Sequence, residues 1–155
     1  SAASDVYKRQ VVQGGGSKAI VEVALSQVGN IGGEPYWRWY GFSGREEWCA
    51  CFVSWCAEQC GYIESGLVPK FAYCPNGAAW FQEHGRWKGR DYVPISGDII
   101  FFDFDGDRIS EHVGIVEKVE DGMIYTVEGN YEDECSKASY LLSDIGIAGI
   151  GVCTY

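Results

Sequence analysis

The chain has 155 residues, enough for one domain with a buried core, and its 46% hydrophobic and 15% aromatic content excludes a disordered chain. Twenty-two acidic against twelve basic residues give a net charge of −10, which argues against nucleic acid or an anionic bilayer as the main partner. No apolar run approaches the roughly 18 residues of a membrane span, so no membrane insertion is expected.

Asp5-Val6-Tyr7-Lys8-Arg9-Gln10 resembles the translation of a sequencing-library adapter. Residues 1–16 are therefore read as an assembly artefact and flexible leader, with any upstream domain or signal peptide lost, and residues 17–155 as the domain proper. Ser17 is a candidate N-cap for a helix over about 18–29, in which Ile20, Val23, Ala24 and Val28 share one face. Residues 30–47 hold Gly32-Gly33, Pro35 and a dense aromatic set without helical or strand period, and are read as a loop. Aromatic walls build sugar and peptide grooves, so Trp37, Tyr40 and Trp48 are candidates for one.

A second helix is expected over 48–60, with Cys49, Phe52, Val53, Cys56 and Cys60 on one stripe and Cys49 at its exposed N-terminal tip. A short helix over 76–84 ends at His84, whose place in the last turn suits a helix dipole rather than chemistry. From residue 94 the pattern changes to strands: 99–102, 112–119, 123–128, 138–142 and 147–154, with Asp121-Gly122 as a hairpin turn. Helices followed by antiparallel strands give an α+β domain.

Seven cysteines leave at least one thiol free unless chains are cross-linked. Cys49 differs from the other six because a helix N-terminus lowers a thiol's pKa and offers free N–H groups to an oxyanion. The others are read as small buried hydrophobes, with one disulfide to Cys74, Cys135 or Cys153 as the alternative. His112, one of two histidines, shares a strand face with Gly114, which leaves room beside the ring for the thiol or a substrate. Glu128 and Asn130 are two apart and in an extended strand point to one face, where either could orient the imidazole. Cysteine, histidine and a polar acceptor in this order indicate a thiol hydrolase.

Four strings reach a family: Trp48-Cys49-Ala50-Cys51-Phe52-Val53-Ser54-Trp55-Cys56, Ser96-Gly97-Asp98-Ile99-Ile100-Phe101-Phe102, His112-Val113-Gly114-Ile115-Val116 and Val127-Glu128-Gly129-Asn130-Tyr131. Over about residues 18–155 they closely resemble the CHAP family of cysteine, histidine-dependent amidohydrolases and peptidases, within the NlpC-like and papain-like superfamily. The resemblance implies a papain-like α+β fold, with N-terminal helices packed on a C-terminal antiparallel sheet and the nucleophile at a helix N-terminus. It implies hydrolysis of peptidoglycan amides at or outside a bacterial cell surface, with peptidoglycan as partner and no cofactor. By position Cys49 is then nucleophile, His112 general base and acid, and Glu128 and Asn130 the orienting groups. Cys51 departs from the family pattern. The alternatives are a thiol peptidase or amidase with a non-wall substrate, and a silent cysteine-rich module binding wall or metal. Asp103, Asp105 and Asp107 are weak calcium candidates, read first as a solvated turn between two strands.

Overall fold

The computed structural model describes residues 16–155. The leader read for residues 1–16 lies outside them except for Gly16, which opens the first helix. Four helices precede the sheet: α1 (Gly16–Ser26), α2 (Glu34–Tyr40), α3 (Cys49–Gln59) and α4 (Cys74–Glu83). Six strands follow: β1 (Trp87–Lys88), β2 (Ile99–Phe102), β3 (His112–Glu120), β4 (Met123–Tyr131), β5 (Glu134–Leu141) and β6 (Ile147–Gly151). They form one antiparallel sheet in the order β1-β6-β2-β3-β4-β5. This is the α+β, papain-like arrangement expected from the sequence.

Helix α3 is the centre of the domain. Every residue from Cys49 to Ala57 is buried, because α1 and α2 pack on one side of it and strands β3 and β4 on the other. The single apolar stripe expected for this helix is thus replaced by burial all round, the pattern of a helix enclosed by its neighbours. Gly129 lets α3 lie directly on β4: a Cβ there would stand 2.5 Å from the Phe52 Cβ. On β2, Ile99 and Phe101 face the helices, while Ile100 and Phe102 join Val116, Ile124, Ile147 and Ile150 in a smaller cluster. Period-two alternation therefore buries both faces of this strand.

Several local expectations are corrected. Helix α1 ends at Ser26, so Val28 lies beyond it and is exposed. Residues 34–40, read as loop, form α2, which starts with Pro35 in its first turn and stops at Gly41. Helix α4 begins at Cys74 rather than Asn76. The Asp121-Gly122 hairpin forms as expected, with φ of 52° and 78° at its two residues.

Candidate active site

Trp48 is the N-cap of α3 and Cys49 its first helical residue. The first intrahelical bond runs from the Phe52 N–H to the Trp48 carbonyl, so the N–H groups of Cys49, Ala50 and Cys51 precede the ladder. Cys49 is at the tip, as expected, but it is only 6% exposed. It lies under a groove whose walls are Tyr73 and Cys74 on one side and Asp107, Ile109 and Glu111 on the other.

His112 opens β3 and reaches Cys49 from the sheet. Its Nε2–H donates to Glu128 Oε1 at 2.7 Å, which leaves Nδ1 as the ring nitrogen available to the thiol. Glu128 is fully buried, and a buried carboxylate must be matched by donors. Besides His112, the Thr126 hydroxyl donates to it at 2.5 Å and the Tyr140 hydroxyl at 2.8 Å. Gly114 makes the space for Glu128, since a Cβ there would lie 2.7 Å from the Glu128 Cγ. The room beside His112 read from Gly114 is therefore occupied by the carboxylate.

The electrostatics follow from these contacts. The Cys49 thiol is held well below its ordinary range, first by a hydrogen bond from Cys74, then by His112 and the Val113 backbone, with burial opposing them. Burial also works against a charged His112, but the Cys49 sulfur and the Glu128 carboxylate overcome it and raise the ring to about 10. From about 5, to which Cys49 is lowered, up to about 10 the favoured state is a thiolate beside an imidazolium. Tyr140 is pushed above its ordinary range by burial and by Glu128, so it stays a hydrogen-bond donor.

Asn130 does not touch the imidazole. A register shift between Glu128 and Tyr131, with Asn130 at φ 55°, breaks the extended alternation that would give the two residues one orientation. Both line a second cavity with His112, which shares Glu111 with the groove over Cys49, but the Asn130 amide donates to Glu47, and its oxygen accepts from Arg45 at 3.2 Å. Of the two candidates for orienting the ring, Glu128 is the one in contact.

The aromatic groove residues are corrected as well. Trp48 is fully buried, stacked on Tyr36 at 5.3 Å, with its Nε1–H on Asp133 at 3.1 Å. Trp37 is also in the core. Tyr40 is half-buried, stacks on Phe42 at 5.4 Å and packs under the Lys70 ammonium. A domain this rich in aromatics uses them first to fill the space around α3. The walls beside Cys49 and His112 come instead from Tyr73, Ile109, Phe104 and Tyr131.

The acidic loop between β2 and β3 brings Asp103, Asp105, Asp107 and Glu111 within 4.8 Å of one another. Their oxygens accept backbone N–H groups of the same loop: Gly106 and Arg108 on Asp103, Asp107 on Asp105, Ile109 on Asp107, and Phe104 and Asp105 on Glu111. This is the turn reading of the segment.

Thr126, Tyr140 and Cys74 were not singled out for this site from the sequence. Thr126 and Tyr140 had a weak signal, as polar side chains on one face of strands β4 and β5, set diagonally across the pair. Cys74 had none beyond its place before Pro75 at a helix start.

An ionisable thiol, an imidazole and a buried carboxylate on a papain-like scaffold define a cysteine-dependent hydrolase. The CHAP domain model matches residues 39–130, and the chain belongs to the CHAP family. Among solved structures it is similar to two crystal structures of Ly7917, one of them with the hydrolyzing product of MDP. The TM-scores are 0.58 and 0.59 at 17% identity, over 89% of this chain and 63% and 62% of those chains. The chain thus spans somewhat less than two thirds of their length. No curated protein matches the sequence significantly. Among the described residues, no helix is long and apolar enough to cross a membrane.

Proposed function

We propose that this chain is the catalytic domain of a peptidoglycan hydrolase that cleaves an amide bond of the bacterial cell wall. The bond is a muramoyl–alanine amide or a peptide bond of the stem or cross-bridge. The observation that carries the reading is the position of His112, between the Cys49 thiol and the buried Glu128 carboxylate. Membership of the CHAP family, and the MDP hydrolysis product held by the structurally similar Ly7917, support the substrate class.

In this reading the Cys49 thiolate attacks the amide carbonyl, and the first N–H groups of α3 hold the oxyanion that forms. His112 gives its Nδ1 proton to the leaving amine as the C–N bond breaks, which leaves a thioester on Cys49. The neutral ring then takes a proton from water, whose oxygen attacks the thioester, and the thiolate is restored. Glu128 keeps Nε2 protonated and steadies the ring each time it becomes charged. Thr126 and Tyr140 fix the carboxylate that does this.

Digestion of purified peptidoglycan, with the new termini identified by mass spectrometry, tests the proposal. The wild type is expected to release fragments with one class of new amine and carboxyl end, and Cys49→Ala none. Equal release by both proteins, or by neither, contradicts it. Cleavage of a non-wall amide in place of peptidoglycan would keep the thiol chemistry and replace the substrate.

A further inference from the structure

Cys74 lies at the start of α4, and its Sγ is 3.7 Å from the Cys49 Sγ. The fold fixes this approach. The buried Ser54 hydroxyl in α3 donates to the Phe71 carbonyl at 2.8 Å and accepts the Phe71 N–H at 2.9 Å. That pair of bonds ties the segment entering Cys74 to the helix that carries Cys49. Both sulfurs border the same groove, with the two residues only 6% and 5% exposed.

The groups around the two thiols decide which one ionises. His112 approaches Cys49 from β3; Cys51 lies on α3, Glu47 just before it, and Asp107 and Glu111 across the groove. Glu47, Asp107 and Glu111 disfavour a negative charge on either sulfur. His112 is the one cation among these groups, and it bears on Cys49 rather than Cys74. The charge therefore settles on Cys49, and Cys74 keeps its proton. A neutral thiol beside a thiolate donates to it, as in dithiol motifs whose nucleophilic cysteine is acidic.

We propose that Cys74 takes part in the reaction itself: its S–H donates to the Cys49 thiolate and holds that sulfur ionised until it attacks. This rests on Cys49 being the nucleophile. As the C–S bond forms, Cys49 becomes a neutral thioester sulfur while Cys74 retains its proton, because the leaving amine is protonated by His112. When water cleaves the thioester, the thiolate returns and the Cys74 hydrogen bond forms again. Stabilising a thiolate also weakens it as a nucleophile. Loss of Cys74 should therefore slow the reaction at low pH and little at high pH, whereas a packing role would slow it at every pH.

The test is the iodoacetamide labelling rate of Cys49 as a function of pH, resolved by peptide mass spectrometry in the wild type, Cys74→Ala and Cys74→Ser, with the pH profile of hydrolysis alongside. In Cys74→Ala the labelling midpoint should rise by about one unit, an about ten-fold slower reaction below both midpoints, with rates that converge at high pH. Cys74→Ser, whose hydroxyl can still donate, should fall between the two, and it carries the comparison if the alanine variant does not fold. Coincident midpoints, or a loss that is equal at all pH, would overturn the proposal while leaving Cys49 as nucleophile. Wild-type Cys49 that reacts no faster than the other six thiols would overturn both.

Discussion

Helix α3 begins with one cysteine and is capped at its far end by another, and the two ends behave oppositely. Cys49, in the first turn, is held below the ordinary thiol range, whereas burial pushes Cys60, just past the last turn, up to about 12. Cys56, one turn before the end, is also driven well above its ordinary value by burial, then by Cys135 and Cys60. All three are buried, so burial alone does not separate them. The difference lies in what each sulfur meets. Cys49 faces a thiol donor, an imidazole and a backbone N–H, while the groups that bear on Cys56 and Cys60 are other thiols and tyrosine hydroxyls, which do not offset burial. A thiol in an apolar core is inert because its charged form has nothing to replace water. The same group becomes reactive when donors and a cation are already in place.

The largest expected effect that sharpens this contrast comes from Glu128→Gln. The amide cannot hold His112 as an imidazolium, so kcat should fall roughly 10²- to 10⁴-fold. The fall in activity with rising pH should also move below the value of about 10 set for His112. The sign is that of a cation losing its anionic partner: without Glu128 the ring gives up its proton at lower pH. The profile of kcat/KM against pH measures this, and an unchanged alkaline limb would break the account of Glu128. A smaller effect is expected at the other end of the helix. Cys56→Ala should leave hydrolysis within about two-fold of wild type while lowering stability by about 1–2 kcal/mol, read from denaturant unfolding. A large loss of activity in a folded Cys56→Ala protein would remove the distinction between the two ends.

Much of this was legible before the structure. The strands after Asp98 stand out as short apolar or alternating runs, the Asp121-Gly122 turn specifies its hairpin, and the Cys49, His112 and Glu128 strings carry their family's order. What escaped was set by tertiary contact. Helix α2 is seven residues long and rich in aromatics, too short to display a period, although Pro35 and Gly41 mark its ends. Trp37 and Trp48 read equally well as groove or core until α3 is seen to need large side chains around it. The orientation of Asn130 depends on a bulge that no spacing rule records. Cys74 meets Cys49 because Ser54 grips the backbone at Phe71, a contact across 17 residues.

The most direct test of the central claim, that surroundings and not burial single out one thiol of seven, is site-resolved alkylation across pH in the wild type and His112→Ala. Iodoacetamide should modify Cys49 well below pH 8 in the wild type, ahead of the six other cysteines, because its depressed pKa leaves it ionised there. In His112→Ala the rise in rate should move to higher pH. Uniformly slow labelling of all seven cysteines, or a Cys49 profile unmoved by loss of the imidazole, would contradict the account.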